Sequence, residues 1–491
     1  MKLHKYWPAV TFFMFFIWLV VAYLYYTPSW GLQDDFQSLG IARSVWQSAN
    51  FLGSLWTVIT SDLASWGIFR PVYYFSVVVN YHFFKDVPWF IYILIAIFNF
   101  SAILLWGIVI TRLFSVRENY AWFGIFLFPL SFFIFTPFWN IFVHISFQEK
   151  YIVLFSAISL YFLEKAYSKE RVAYLIPVMF FMILGMLSKP TGIHLTMAYI
   201  VFAVVDLVFL KHKKHISLLV LSLNAALFIL YYWFITSNLR GYAGQYSLTF
   251  ANIINNLLTS SMVVKLLIVA AIVIFLSLFV TIFRKKSNFS PLALIIPLGF
   301  LSYVLVLAPW RFASYLLSAL TPYVLAMFFP IYIWFNYRNN ISRVVVNACL
   351  ILLAILSFSF IAVPRISKLA DIREVEEFII SSNKNNDRYF FPPPFSEAAE
   401  AVSGFTSTRI VYLDKGVLDT EKLHSANGNY LIVNDEASAI TLDGVEIIKT
   451  VYENNTWKIF QLAGNRPGQE LFKVGFPENS VVKIKSFLRD F

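Results

Sequence analysis

Cysteine is almost absent from the 491-residue sequence, which contains only Cys349. A single cysteine excludes an intramolecular disulfide and a metal site built from several thiolates. Because Cys349 lies in an apolar run, we expect it to be a small core residue. Charged residues are also scarce, at 13% of the sequence, against 59% hydrophobic residues and 53 phenylalanines. This composition, with a mean hydropathy of +0.69, excludes a soluble globular protein and predicts a polytopic α-helical membrane protein.

The sequence also lacks signs of a nucleic-acid partner, of an internal repeat and of a signal-peptide cleavage site. The net charge of +11 indicates no nucleic-acid partner, because the basic residues occur in short clusters between apolar segments, where topology and lipid headgroups explain them. No internal repeat is visible, whereas many transporters have repeated halves. The apolar run from Trp7 to Tyr26 is too long for a signal peptide and lacks a small-residue cleavage site, so we expect a retained helix.

Eleven apolar segments have about the length that a membrane-spanning helix needs. They are predicted at about 7–26, 89–113, 121–138, 149–165, 171–188, 191–210, 216–236, 262–283, 291–309, 312–335 and 344–363.

The basic residues predict the orientation of these segments. If Lys2 and Lys5 are cytoplasmic, all the other basic clusters fall on the cytoplasmic side, as the positive-inside rule requires. These clusters are Arg112 with Arg117, Lys165 to Arg171, Lys211 to Lys214, Arg284 to Lys286, and Arg338 to Arg343. The N terminus is therefore predicted to be cytoplasmic, and the chain after about residue 364 extracytoplasmic.

Two regions are predicted outside the membrane. The first outer loop, about 27–88, has apolar residues at helical spacing and is expected to form helices along the interface. Residues 364–491 are expected to form a small α/β domain beside the transmembrane domain of residues 1–363. Its predicted elements are a charged helix from Arg365 to Ser382 and strands at 409–413, 430–433, 445–452 and 456–462. This domain has no catalytic constellation, and we expect it to act as a lid, an acceptor platform or a stabiliser.

Two adjacent carboxylates, Asp34 and Asp35, follow the first apolar segment. Neighbouring acids repel each other, and burial would raise the pKa of at least one, so such a pair is typical of a catalytic centre. The alternative is a solvated pair that only ends the first helix.

Four basic residues lie on the predicted outer side, against the positive-inside trend: Arg70, Lys189, Arg240 and Arg311. A charge in or near hydrocarbon costs about 2.5–3.5 kcal/mol on insertion scales, so these residues are functional candidates. Arginine suits a phosphate because its guanidinium donates two parallel hydrogen bonds. The alternative is that these side chains extend to lipid headgroups.

A polar run opens the predicted fourth span. Its members His144 and Glu149 are candidates for contacting an acceptor or a metal, although a lone histidine is more often structural. Nearby Trp139, like Trp310, is expected to be an interfacial anchor.

The order of these motifs resembles the GT-C superfamily of integral-membrane glycosyltransferases, in the branch that contains the protein O-mannosyltransferases and the lipid A aminoarabinose transferase. The resemblance covers about residues 1–363. It rests on the paired acids and on four further motifs, Arg70-Pro-Val-Tyr-Tyr, Asn80-Tyr-His-Phe-Phe84, Ser188-Lys-Pro-Thr191 and Tyr315-Leu-Leu-Ser-Ala-Leu-Thr-Pro322. The sequence departs from the family at Pro190, where relatives often have Glu, and at Ser314, where many have Arg.

The resemblance implies transfer of a sugar from a polyprenyl phosphate to an envelope glycan, lipid or protein at the outer membrane face, with inversion. Asp34 aligns with the leading acid and is the expected general base. Asp35 would orient the acceptor, tune its neighbour or hold a divalent ion. Arg70, Lys189, Arg240, Arg311 and Tyr315 are the expected ligands of the donor phosphate. Two alternatives stay open: a flippase for lipid-linked sugars, and a glycan polymerase or ligase.

Overall fold

The computed structural model describes most of the chain. The described residues are 6–28, 34–66, 68–84, 87–145, 147–238, 255–257, 259–285, 289–308, 318–382, 388–391, 410–412, 417–419, 429–434, 440–453 and 457–472.

Sixteen α-helices form most of the described structure. In chain order they are α1 (Trp7–Tyr26), α2 (Asp34–Gln47), α3 (Phe51–Trp66), α4 (Pro71–Phe84), α5 (Pro88–Leu113), α6 (Glu118–Trp122), α7 (Asn140–Val143), α8 (Glu149–Lys169), α9 (Leu175–Ser188), α10 (Ile193–Val205), α11 (Lys214–Asn238), α12 (Met262–Phe283), α13 (Ile295–Leu307), α14 (Thr321–Arg338), α15 (Asn340–Ser357) and α16 (Val363–Ser382).

The apolar helices confirm a polytopic membrane protein. Within the described residues, six helical segments are long and apolar enough to cross a bilayer, or seven if one bent pair forms a single span. The six are Trp7–Tyr26, Pro88–Leu113, Pro190–Leu210, Lys214–Phe234, Met262–Phe283 and Asn340–Asp371. The predicted count of about eleven spans is not confirmed. Helix α8 occupies one of the other predicted positions and carries charged residues at both ends.

The bent pair is the segment between α5 and α8. Its two parts, Glu118–Ile134 and Thr136–Val143, meet at an angle of 98°. Each part contains a proline, Pro129 and Pro137, which cannot donate a backbone hydrogen bond within a helix. The regular helix therefore gives way to π-helical and 3₁₀ turns along this segment.

Side chains from two long helices fix the position of this bend. The Tyr23 hydroxyl of α1 donates to the carbonyl oxygen of Phe142 at 2.9 Å, and the Asn99 amide of α5 donates to that of Ile141 at 2.8 Å. All these groups are buried, where an unpaired carbonyl would cost about 1–3 kcal/mol. The bend thus determines where α8 begins, and the candidate site lies at the start of α8.

Helix α5 lies at the centre of the bundle and packs against α1, α8 and the bent segment. Its Trp106 is fully buried and donates from Nε1 to the carbonyl oxygen of Val153 in α8 at 2.9 Å. This hydrogen bond fixes the position of α8 along the axis of α5. It therefore also fixes where the first turn of α8 lies at the end of the bundle.

Two residue-level expectations are wrong. Trp139 is not an interfacial anchor, because it is buried and its Nε1 bonds to Phe133 O at 2.9 Å and Ser357 Oγ at 2.8 Å. Cys349 is not a core residue but is exposed. It lies on α15, which also exposes Val345 and Leu352, so this helix has an apolar surface suited to lipid.

In the described part of the C-terminal region, six strands form a mixed sheet of order β2-β1-β4-β6-β5-β3. Its strands are β1 (Arg388–Phe391), β2 (Ile410–Tyr412), β3 (Val417–Asp419), β4 (Asn429–Asn434), β5 (Ile440–Glu453) and β6 (Trp457–Phe472). Strands β5 and β6 pair antiparallel from Glu453↔Lys458 onward, as the sequence predicts. The predicted strands at 409–413 and 430–433 correspond to β2 and β4, whereas β1 and β3 were not predicted.

The sheet is joined to the bundle by a continuous helical segment. Residues 340–382 run from α15 through a π-helical turn into α16, across the predicted domain boundary at residue 363. The Tyr452 hydroxyl of β5 donates to Glu374 Oε2 of α16 at 2.8 Å, so this helix also contacts the sheet.

Candidate active site

The paired acids open a helix that packs against α4. Asp34 and Asp35 are the first two residues of α2. One turn further along, the Ser38 hydroxyl is buried and hydrogen-bonds to the Tyr73 hydroxyl of α4. Tyr73 lies three residues after Arg70, so α2 and α4 place the two predicted site motifs in the same part of the fold.

Arg70 is held by a two-point ion pair with Asp62 of α3. Its Nε donates to Asp62 Oδ2 at 2.9 Å, and its Nη2 donates to Oδ1 at 3.1 Å. Paired parallel bonds of this kind fix the plane of a guanidinium. Nη2 also donates to the Tyr74 hydroxyl at 3.1 Å, and the guanidinium lies 5.3 Å from the Tyr73 ring centroid.

Burial sets the direction of the pKa shift of Asp62, the acidic member of this pair. The Asp62 side chain is 7% exposed and that of Arg70 is 20% exposed. Burial raises the pKa of Asp62, and the adjacent charge and hydrogen bonds of Arg70 offset part of that rise. Burial also raises the pKa of Tyr74 to about 12, so its phenol stays protonated at neutral pH.

Gln148 connects Arg70 to helix α9. In the amide orientation that satisfies both partners, its oxygen accepts from Arg70 Nη1 at 2.7 Å and its nitrogen donates to Ser188 O at 3.3 Å. All three nitrogens of the guanidinium are therefore bonded to protein groups. Gln148 is buried at the start of α8, so the bend between α5 and α8 positions this link.

The next residue, Glu149, forms an ion pair with Lys189, which follows α9. Glu149 is 1% exposed and Lys189 is 16% exposed, so the pair is largely shielded from water. Two predicted candidates of different roles, the acceptor or metal candidate Glu149 and the phosphate candidate Lys189, thus lie in direct contact.

The turn that presents Lys189 follows from its sequence. Pro190 disfavours helical geometry at the preceding residue, and Lys189 is extended with φ −154° and ψ 135°, which ends α9. Pro190 then opens the next helical turn, where a missing N–H costs nothing. Gly192 lies against the backbone of Gly185, and a Cβ there would lie 2.6 Å from the Gly185 carbonyl carbon.

The site network is defined here as Asp62, Arg70, Gln148, Glu149 and Lys189. It connects α3, the start of α4, the start of α8 and the end of α9. Its two cations and two carboxylates balance, so it supplies oriented donors and acceptors without net charge. A neutral, largely buried network of this kind favours a fixed geometry over a general attraction for anions.

The remaining predicted residues are distributed as follows. His144 is half-buried, and its ring stacks on Phe147 with centroids 4.5 Å apart. Arg240, Arg311 and Tyr315 lie outside the described residues, as does Trp310. Within the part of the chain that is described, no group of three His, Cys, Asp or Glu side chains is placed to hold a metal ion.

Sequence reasoning missed Asp62 as a site residue. The sequence does contain a signal for Asp62, because it is an acid near the end of an apolar interfacial helix, where a charge needs a partner. Sequence reasoning also missed a buried pair deeper in the bundle. His194 Nδ1 faces the Thr191 carbonyl oxygen at 2.9 Å and therefore carries the proton, so Nε2 accepts from the Tyr323 hydroxyl at 2.9 Å.

Comparison with known proteins identifies the fold. No protein-family model matches the chain, and no curated protein matches it. The solved structure of ArnT from Cupriavidus metallidurans bound to undecaprenyl phosphate is similar over 91% of this chain and 97% of that chain, with a TM-score of 0.50 and 11% sequence identity. An Archaeoglobus fulgidus oligosaccharyltransferase, solved with a tethered acceptor peptide, covers 83% of this chain and 64% of its own, with a TM-score of 0.41 and 12% identity. The likeness to ArnT, over nearly the whole of both chains, shows that this protein has the fold of the GT-C glycosyltransferases.

Proposed function

We propose that the protein is an inverting glycosyltransferase, which moves a sugar from a polyprenyl-phosphate donor to an envelope glycan, lipid or protein at the outer membrane face. The observation that carries the proposal is the placement of the acids. Asp34 and Asp35 open α2, and α2 is bonded through Ser38 to α4, whose first turn follows Arg70. The fold shared with ArnT, solved with undecaprenyl phosphate, supports a donor of that class.

In this proposal Asp34 is the general base. It removes the proton from the acceptor hydroxyl as the oxygen attacks the anomeric carbon. The bond from that carbon to the phosphate oxygen breaks, and the polyprenyl phosphate leaves with the bonding electrons. A positioned carboxylate contributes about 10²- to 10⁴-fold to such a step. Asp35 orients the acceptor, tunes Asp34 or holds a divalent ion.

The proposed donor phosphate is bound by groups from several elements. Glu149 orients Lys189, and Asp62 orients Arg70. Because each carboxylate balances the charge of its cation, Lys189 and Arg70 act on the phosphate as oriented hydrogen-bond donors. Arg240, Arg311 and Tyr315 supply further charge and hydrogen bonds to the phosphate. His144 contributes to the acceptor side.

The test is transfer from a panel of radiolabelled polyprenyl-phosphate sugars by the purified protein, with and without a chelator. We expect label to move to an envelope acceptor with inversion at the anomeric carbon. Loss of transfer with the chelator would assign a metal to the site. The proposal fails if the protein binds and translocates a lipid-linked sugar but neither transfers nor hydrolyses it, because that behaviour defines a flippase.

A further inference from the structure

A cavity of about 570 Å³ opens at the end of the bundle opposite the candidate active site. It lies between the start of α1, the π-helical turn after α6 and the first turns of α15. Most of its wall is apolar, and its polar groups are one arginine and two asparagines. The lining residues are Trp7, Phe123, Asn340, Arg343, Val344, Asn347, Ala348 and Ile351.

Arg343 is held in place beside this cavity. Its Nε donates to the Asn336 carbonyl oxygen at 3.2 Å, and its Nη2 donates to the Tyr120 hydroxyl at 3.3 Å. The guanidinium also lies 4.9 Å from the Tyr120 ring centroid and 5.7 Å from that of Phe123. These contacts restrict the rotamers of the side chain before any ligand binds, which lowers the entropy cost of binding.

The contacts of Arg343 with described residues are a backbone carbonyl, a hydroxyl and two aromatic rings, all of them uncharged. No carboxylate of the described residues forms an ion pair with it. Two other cations predicted to lie at this end of the bundle do form ion pairs, namely Arg112 with Glu164 and Lys213 with Glu170. The cavity therefore combines an apolar wall with an oriented cation that has no ion-pair partner in the described part of the chain.

The apolar wall extends along one face of α15. Val344, Ala348 and Ile351 are spaced four and three residues apart, so they share a helix face. At 1.5 Å per residue, this face continues for about 12 Å beyond Arg343. A groove of that length fits part of an acyl chain, and Trp7 and Phe123 form its opposite side.

We propose that this cavity binds an anionic phospholipid, whose phosphate contacts Arg343 and whose acyl chain lies along α15. Charge complementarity at Arg343 selects an anionic headgroup, and the apolar wall selects a lipid over a free phosphate. The cavity lies at the end predicted to be cytoplasmic, where the leaflet is rich in anionic lipid. This site is independent of the glycosyl-transfer proposal.

The first test is native mass spectrometry of the full-length protein purified from mixed phosphatidylglycerol and phosphatidylcholine. Wild type should retain one phosphatidylglycerol in preference to phosphatidylcholine, and Arg343→Gln should lower that retention about tenfold, the loss expected for one charge-assisted contact. Arg338→Gln is the matched control, because Arg338 is exposed at the same end and lies 5.2 Å over Trp334. Equal losses in the two variants would overturn the proposal.

The second test removes the groove and keeps the charge. Ala348→Trp fills the apolar wall at a position that is exposed to the cavity, so it should abolish phosphatidylglycerol retention while Arg343 remains. Glycerol phosphate in excess should not displace the lipid from wild type. Wild-type retention by Ala348→Trp, or displacement by glycerol phosphate, would each contradict an acyl-chain site. This test stands even if Arg343→Gln does not fold.

Discussion

Asp62 supplies two of the hydrogen bonds that hold the Arg70 guanidinium. We predict that Asp62→Ala lowers the free energy of unfolding by about 3 kcal/mol, because it leaves a largely buried guanidinium without its counter-charge. Thermal or denaturant unfolding in detergent measures this loss. The sugar-transfer rate should fall as well, since Arg70 also positions Gln148.

The matched control for this prediction is the pair Arg112–Glu164. Its N–O distance is 3.2 Å, but the Arg112 side chain is 38% exposed. Glu164→Ala should therefore cost no more than about 1 kcal/mol, as exposed ion pairs do. Equal losses for Asp62→Ala and Glu164→Ala would contradict a structural role for the site network.

The ion pair between Glu149 and Lys189 can be tested with single and double variants. Glu149→Gln or Lys189→Met alone removes one member of this largely buried ion pair, and each should destabilise the protein by about 3 kcal/mol. The double variant removes both charges. Its loss of stability should therefore be no more than half the sum of the losses of the two single variants. Its transfer rate should stay low if Lys189 contacts the donor phosphate. Additive losses of stability in the double variant would show that the two side chains do not interact.

At the scale of elements, the turn after α9 depends on the close approach of two glycines. A Cβ at Gly192 would lie 2.6 Å from backbone atoms of Gly185, which cannot move aside as a side chain can. We predict that Gly192→Ala costs about 1–3 kcal/mol of stability and displaces Lys189. Gly185→Ala is the control, since its Cβ would meet only Phe155 Cβ at 3.8 Å. A thermal shift that is the same for both variants would contradict this account.

The sequence was a good guide to elements with long periodic patterns. The interfacial helices predicted between residues 36 and 84 correspond to α2, α3 and α4, because apolar residues at helical spacing specify a helix face. Strands β1 and β3 were missed because they have four and three residues and lack a visible alternation. β1 also directly precedes Pro392, and a proline at the end of a short run weakens the sequence signal for a strand.

The sequence was a poorer guide to tertiary contacts in the site. It singled out Arg70 and Lys189 as outer-side cations and Glu149 as an acceptor or metal candidate, and Lys189 and Glu149 form one ion pair. It gave no pairing between Asp62 and Arg70, because these residues lie on either side of the break between α3 and α4.

At the scale of the whole molecule, the orientation of the membrane region is a prediction that single cysteines test. In a Cys349→Ala background, Lys449→Cys in β5 should react with a membrane-impermeant maleimide in intact cells, because Lys449 is exposed on the predicted outer side. Glu118→Cys, exposed at the start of α6, should react only after permeabilisation. The reverse pattern of labelling would invert the topology.

The most direct test of the central claim is the single-turnover transfer rate of Asp34→Asn, measured at saturating donor together with donor binding in the same preparation. Glu118→Gln, an exposed acid at the opposite end of the bundle, is the control. Loss of the general base should lower the rate by about 10²- to 10⁴-fold while donor affinity stays within about twofold. Transfer by Asp34→Asn at the rate of the Glu118→Gln control would contradict the assignment of Asp34 as the base.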